Sequence, residues 1–177
     1  MAVAAEDNRI NAAFPHNMMV PQLPETIGLT RFPRILRHVH KQVVWLVKIA
    51  GKIMPGLPVS YALYLQPDRV TVSPETRNKL EKDPLFLRTY PLYFLASLFN
   101  ADMSKICDGS IKCPVVAIVS SGEPLFSFEY TKLVFDKIKA PVKEMLVFNL
   151  PCHLILNECV NEVLDPISNK INKYVNM

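Results

Sequence analysis

Two polar residues of this sequence, Glu123 and His153, each stand just after an apolar run, where acid–base groups of open parallel sheets gather. Glu123 follows the run 113–119, and His153 follows the run 144–150. If these runs form neighbouring parallel strands, about 4.8 Å apart, the turns leaving the same sheet edge can bring the carboxylate to the imidazole. A carboxylate that accepts the imidazole N–H fixes its tautomer and stabilises the imidazolium that forms during acyl transfer.

Each of these residues also has a plain structural explanation. His153 could be a turn histidine with satisfied hydrogen bonds, and Glu123 could cap the helix that follows it. Cys152 invites a cysteine nucleophile beside His153, but sequence neighbours at such a turn rarely point at each other. His38 and His40, earlier in the chain, are expected to be solvated rather than to be ligands.

The elements around the two residues follow from hydrophobic patterning. The run 113–119 is continuous and β-branched, which is typical of a strand covered on both faces, and 144–150 predicts a second buried strand. Amphipathic helices are predicted over 128–139, with Ser127 as N-cap, and over 158–174. Strand, helix, strand and helix joined by short turns predict a right-handed parallel βαβ crossover.

The first half of the chain is dominated by a basic amphipathic pattern over 33–54. Its apolar residues recur at spacings of three and four, and its basic residues fall mainly on another face. Two interpretations stay open: a helix whose apolar stripe faces a core, or contact with an anionic membrane surface or an acyl substrate. A second apolar helix is predicted over 90–106. Its aromatic residues and Trp45 are candidates for a core or for the wall of an acyl pocket.

Composition excludes several classes of function. The net charge is +4, and no dense Lys/Arg cluster is interleaved with aromatic residues, so nucleic acid is not an expected partner. The four cysteines form no C-x-x-C pair and no paired spacing typical of a zinc site, so we expect reduced, mostly buried thiols in an intracellular protein. No metal or other cofactor is expected. Without a signal peptide or an apolar stretch of about 20 residues, we expect a cytoplasmic protein, at most peripheral to a membrane.

The segment IKCPVVAIVSSGEPLFSFEYTKLVF, which begins at Ile111, resembles the part of monoglyceride-lipase and lysophospholipase-like hydrolases that reads I-x-x-P-v-l-x-i-x-G-x-x-D-x-l-f. KEMLVFNLPCHLILNE is similar to their K-x-l-x-x-y-x-x-x-x-H-x-l-x-x-E, and DPL at 83–85 resembles part of their cap region. The resemblance implies the α/β class, with the C-terminal portion of an α/β-hydrolase fold, the last βαβα unit of a parallel sheet, preceded by helical cap segments. The predicted parts are an extended or partly disordered segment over 1–30, a cap-like region over 31–110 and the βαβα unit over 111–177.

The same resemblance implies that Glu123 occupies the family's acid position, usually Asp, and that His153 occupies its base position. The extra methylene of glutamate shifts the carboxylate. The family's nucleophile lies in G-x-S-x-G. Ser120 and Ser121 have no glycine two residues before them, and they lie at the acid turn. No other serine of this sequence stands in G-x-S-x-G either.

The sequence therefore predicts a truncated serine ester hydrolase, of lysophospholipase or monoacylglycerol-lipase type, that is inactive alone. Its substrates would be acyl esters or lipids. The alternative is a non-catalytic hydrolase-like protein that binds a hydrophobic partner or a membrane surface through 33–54. A third hypothesis is that a second chain completes the sheet, because two parallel strands are marginal and the first would leave an open edge.

Overall fold

The computed structural model describes residues 1–175 of the chain. Its helices, in chain order, are α1 (Ala2–Glu6), α2 (His40–Ile53), α3 (Tyr61–Tyr64), α4 (Pro67–Val70), α5 (Pro74–Lys82), α6 (Leu92–Leu98), α7 (Ser104–Cys107), α8 (Phe128–Lys137), α9 (Ile155–Glu158) and α10 (Val160–Val175). Its strands are β1 (Pro58–Ser60), β2 (Thr89–Pro91), β3 (Val115–Ser120) and β4 (Lys143–Phe148). Two 3₁₀ helices precede α2, at Pro24–Leu29 and Arg34–Val39.

This mixed α/β chain divides into two compact units. The sheet unit consists of residues 1–18 and the chain from Asp102 onward, and the α2–α6 unit consists of residues 19–101. The division that the sequence suggests, at 1–30, 31–110 and 111–177, stays a prediction, and its last two residues lie outside the described part of the chain.

The parallel pairing of β3 and β4 is the centre of the sheet unit and confirms the predicted strand–helix–strand–helix order. The register runs from Val115 opposite Lys143 to Ser120 opposite Phe148. Helix α8 connects the two strands, and Ser127 caps it by accepting the Tyr130 N–H at 3.2 Å, as predicted. The turn with Glu123 and the turn with His153 therefore both follow the carboxyl ends of parallel strands, on the same side of the sheet.

The two strands differ in burial. Every residue of β3 is buried, which confirms a strand covered on both faces. The prediction that the second strand is equally buried is wrong, because Val147 of β4 is 45% exposed. The reason is that β4 pairs only with β3 within residues 1–175 and forms the edge of the sheet.

The other side of β3 is covered by the chain's own N-terminal segment, residues 13–17. Ala13 and His16 bridge β3 in a parallel direction. The backbone N–H groups of Val116 and Ile118 donate to the carbonyl oxygens of Ala13 and Pro15, each at 2.9 Å. The expectation of an open edge at the first strand is therefore wrong, since a local pairing satisfies these backbone groups.

Side chains from β3, from the turn after β4 and from the last two helices form the core next to the site. This buried cluster contains Ile118, Cys152, Ile155, Val163 and Ile167. Helix α8 buries its own apolar face in the same unit. The turn after β4 is thus anchored at Cys152 and Ile155, on both sides of His153.

The α2–α6 unit contains shorter elements. Strands β1 and β2 pair antiparallel over three residues each, and α2 packs on α6. The approach of these two helices requires Gly51, because a Cβ there would lie 2.6 Å from the Ala96 Cβ.

Several predictions for this part of the chain are wrong in detail. The helix predicted over 33–54 is a 3₁₀ turn followed by α2, and its apolar stripe is largely exposed, with Ile35 at 72% and Leu46 at 57%. Trp45 is 60% exposed, so it is not a core residue.

The helix predicted over 90–106 is also interrupted. Helix α6 ends at Leu98 and α7 begins at Ser104, where the Asp102 carboxylate accepts the Ser104 N–H at 2.9 Å. Such a local side-chain bond to the backbone competes with helix continuation.

The two histidines near α2 have different environments. His38 is exposed, as predicted, but His40 is only 5% exposed, and its Nε2 lies 3.0 Å from the Pro21 carbonyl oxygen. The prediction of a solvated His40 is wrong because the chain at Pro21 supplies a hydrogen-bond acceptor within the same unit. No helix in residues 1–175 is long and apolar enough to cross a membrane.

Candidate active site

The acid turn leaves β3 through Ser121 and Gly122 and places Glu123 in a buried position. The Ser121 N–H donates to the Phe148 carbonyl oxygen at 2.8 Å, which ties the turn to the end of β4. A Cβ at Gly122 would lie 2.8 Å from the Leu150 carbonyl oxygen, so a glycine allows the two turns to approach each other. Glu123 itself is 8% exposed.

The base turn leaves β4 and places His153 beside the acid turn. Ser120, at the end of β3, donates its hydroxyl hydrogen bond to the carbonyl oxygen of Leu150. Cys152, at 1% exposure, anchors the turn in the core, and His153 is 8% exposed. The imidazole therefore lies in a largely desolvated place between two fixed strand ends.

The structure brings the two predicted residues together. Nδ1 of His153 is hydrogen-bonded to Oε1 of Glu123. The same carboxylate oxygen accepts the Phe126 N–H at 2.9 Å, and the Phe126 ring stacks on the imidazole with centroids 5.3 Å apart and planes inclined by 13°. Glu123 therefore has both predicted roles: it accepts a backbone N–H just before α8, and it pairs with His153.

Two residues that the sequence did not single out complete the surroundings of the imidazole. His16 lies with Nδ1 3.1 Å from the Ile118 carbonyl oxygen and Nε2 3.1 Å from the His153 carbonyl oxygen. Asn17 places Nδ2 3.3 Å from Nε2 of His153. The segment 13–17 has no hydrophobic period, and only the pairing with β3 reveals these contacts, so no local pattern could have indicated them.

The other thiol and hydroxyl groups at the two turns are buried or hydrogen-bonded to groups other than His153. Burial raises the pKa of the Cys152 thiol to about 12, so at neutral pH it is a protonated core residue and not a thiolate. Ser120 is fully buried with its hydroxyl on Leu150, and the Ser121 hydroxyl lies 3.2 Å from Oδ1 of Asn149. Within residues 1–175, no group of three His, Cys, Asp or Glu side chains could hold a metal ion.

Comparison with known proteins identifies the family. Residues 29–160 match the family model described as serine aminopeptidase, S33. A comparison with curated protein sequences gave no significant match.

Two matching solved structures are similar to most of the chain. The monoacylglycerol lipase of Paleococcus ferrophilus superposes with a TM-score of 0.70 at 20% identity, covering 97% of this chain and 62% of that one. A soluble variant of the Saccharomyces cerevisiae monoglyceride lipase, in complex with a substrate analog, gives 0.69 at 13% identity, covering 98% and 57%. The chain spans about three fifths of the length of these proteins. Because the family model covers most of the sequence, the chain belongs to the serine aminopeptidase S33 family of the α/β-hydrolase superfamily.

Proposed function

We propose that this chain carries the acid–base part of a serine ester-hydrolase site, with His153 as general base and then general acid and Glu123 as the residue that orients it. The observation that carries the proposal is the hydrogen bond from Nδ1 of His153 to Glu123 at the ends of two parallel strands. In this chemistry, Nε2 takes a proton from an attacking hydroxyl and returns it to the leaving group.

Glutamate can serve at the acid position because its carboxylate is fixed by more than the imidazole. The Phe126 N–H holds the carboxylate, and the Phe126 ring covers the imidazole face. In a site of such low exposure, a carboxylate stabilises the imidazolium more strongly than in water.

The proposal assigns parts of the chain to parts of the family fold. Residues from 111 onward would be the last βαβα unit of an α/β-hydrolase, and 31–110 would be a helical cap. The parallel register of β3 and β4 and the family match over 29–160 support this assignment.

The nucleophile is not supplied by this sequence, since no serine stands in G-x-S-x-G. We therefore expect the purified chain alone to remain unlabelled by a serine-directed fluorophosphonate probe, with a serine hydrolase of known reactivity as the positive control. A labelled serine in this chain, located by peptide mass spectrometry, would contradict this part of the proposal.

The proposed substrates are acyl esters of lipids, such as monoacylglycerols or lysophospholipids. Because an inactive chain does not consume its ligand, binding can be measured at equilibrium by NMR of the His153 ring. We expect lysophosphatidylcholine to shift these resonances and glycerophosphocholine, the same head group without the acyl chain, to leave them unchanged. Equal shifts with both ligands, or none with either, would rule out recognition of the acyl chain near His153.

A second candidate function is non-catalytic binding to an anionic apolar surface, favoured by the region around α2. Residues 26–67 contain no acidic residue but six basic ones, Arg31, Arg34, Arg37, Lys41, Lys48 and Lys52. Large apolar side chains are exposed in the same region, among them Trp45 at 60% and Ile53 at 72%. Exposed apolar and cationic side chains on one short region are typical of interfacial helices.

The chain has one tryptophan, which provides a direct test of this second function. We expect the fluorescence of Trp45 to shift to the blue with phosphatidylserine vesicles and to return on addition of salt. Phosphatidylcholine vesicles are the matched control. An emission spectrum that does not respond to the anionic vesicles would exclude this function.

A further inference from the structure

The segment 13–17 contacts both β3 and the turn after β4 that carries His153. It pairs with β3 through Ala13 and His16, and the His16 ring lies between the carbonyl oxygens of Ile118 and His153, 3.1 Å from each. The next residue, Asn17, therefore stands at a position that is fixed relative to the imidazole.

Asn17 directs its side-chain amide at His153. Its Nδ2 lies 3.3 Å from Nε2 and 3.4 Å from the carbonyl oxygen of His153. Since Nδ1 faces the Glu123 carboxylate, the proton of a neutral ring belongs on Nδ1, and Nε2 is left as an acceptor for the Asn17 N–H. The Asn17 amide is thus hydrogen-bonded to Nε2, the nitrogen of His153 that must exchange a proton in the proposed function.

The other end of the same amide has no partner. Oδ1 of Asn17 is buried without a hydrogen bond among the described residues. A buried acceptor of this kind is costly, unless another state of the site uses it. When Nε2 carries a proton, a half-turn of the amide would let Oδ1 accept a hydrogen bond from that N–H, while Nδ2 would give up its contact with the His153 carbonyl oxygen.

We propose that Asn17 is a positioning residue for His153. It keeps the neutral imidazole in the Nδ1–H tautomer and engages Nε2 until a hydroxyl replaces it, and after a half-turn it accepts the hydrogen bond of the imidazolium. This inference rests on the proposed role of His153 as the acid–base residue. The other titratable groups facing the ring include Glu123 and His16, whose ring centroid is 6.4 Å away.

A competing explanation is that Asn17 serves the backbone alone. Its φ is 53°, a left-handed value that asparagine tolerates better than most residues. Two variants separate the explanations. Asn17→Gly keeps the backbone free to adopt this φ and removes the amide, whereas Asn17→Asp keeps the shape and replaces the N–H donor by an oxygen.

The first measurement is the rate at which diethylpyrocarbonate modifies His153, followed by peptide mass spectrometry. We expect Asn17→Gly to raise this rate about tenfold, because loss of one hydrogen bond of ordinary strength frees Nε2 by about that factor. Asn11→Gly, at an exposed position of the N-terminal region, is the matched control and should react at the wild-type rate. An unchanged rate in Asn17→Gly would overturn the proposal.

The second measurement is ¹⁵N NMR of the histidine rings. We expect Asn17→Asp to carry protons on both nitrogens of His153 at a pH where the wild-type ring carries one, since aspartate offers only acceptors to Nε2. A wild-type pattern in Asn17→Asp would mean that the backbone explanation is right. This variant also decides the matter if Asn17→Gly does not fold.

The two proposals fail in different ways. A wild-type ring without a proton on Nδ1 would contradict the acid–base pairing with Glu123. A wild-type ring with Nδ1–H, together with variants that leave Nε2 unchanged, would contradict only the role of Asn17.

Discussion

The sheet unit and the α2–α6 unit bury their apolar residues very differently. In the sheet unit, Val115 and Val116 of β3 and Ile155 of α9 are fully buried. In the α2–α6 unit, large apolar residues of α2 reach 72% exposure, at Ile53. Buried side chains with few alternative positions can hold hydrogen-bonding groups in a fixed geometry, so the acid–base pair lies where the packing can support it.

The sheet unit also has more extensive strand pairing than the α2–α6 unit. Strands β3 and β4 pair over six residues, whereas β1 and β2 pair over three and include Pro58 opposite Pro91. Proline removes a donor from a strand ladder. We therefore expect the α2–α6 unit to open locally at a lower free energy than the sheet unit.

The largest expected difference between the two units is in the free energy of unfolding when one isoleucine in each unit is truncated to alanine. Ile155→Ala should lower the free energy of unfolding by about 2–5 kcal/mol, because it leaves a cavity in the cluster next to His153. Ile53→Ala should change it by less than about 0.5 kcal/mol, since that side chain is mostly in water. Urea denaturation followed by circular dichroism measures both. Equal losses would show that the two units do not differ in core packing.

A smaller effect is expected from adding one methyl group to a glycine of each unit. In Gly122→Ala the new Cβ would meet the Leu150 carbonyl oxygen, and the resulting strain should cost about 1–3 kcal/mol. In Gly56→Ala the Cβ meets nothing within 4 Å, and the variant should be unchanged or up to about 1 kcal/mol more stable. Thermal unfolding compares the two variants, and a neutral Gly122→Ala would mean that the acid and base turns are not held together at this point.

The smallest effect concerns a carboxylate of β4 that is tied to α10. The hydrogen bond from Lys170, followed by that from Tyr174 at 2.7 Å, lowers the pKa of Glu144 to about 2. A group whose folded pKa is lowered contributes stability above its ordinary pKa near 4.5, and that contribution is lost as the pH falls toward 2.

Glu144→Gln should therefore be less stable than the wild type at pH 7, by up to about 1 kcal/mol for this partly exposed pair, and most of that difference should be lost near pH 2. The control is Glu75→Gln on α5, where the exposed ion pair with Lys79 should contribute less. A difference between wild type and Glu144→Gln that is as large near pH 2 as at pH 7 would contradict the assignment of this acid-sensitive contribution to Glu144.

Local patterning was sufficient to predict the parallel crossover, the Ser127 cap and the meeting of Glu123 with His153, because strand ends in a parallel sheet are positioned by topology alone. The covering of β3 by residues 13–17 could not be predicted, since it depends on a pairing across about a hundred residues of chain. The burial of His40 was missed for another reason: its acceptor, the Pro21 carbonyl, is a backbone group that carries no sequence signal.

The proposed acid–base pair is tested most directly by ¹H and ¹⁵N NMR of the His153 Nδ1–H. We predict a strongly downfield proton resonance, bonded to Nδ1, that is present in the wild type and absent in Glu123→Ala. Glu129→Ala removes an exposed carboxylate from the first turn of α8 and should leave the resonance unchanged. The same resonance persisting in Glu123→Ala would contradict the pairing on which the proposed function depends.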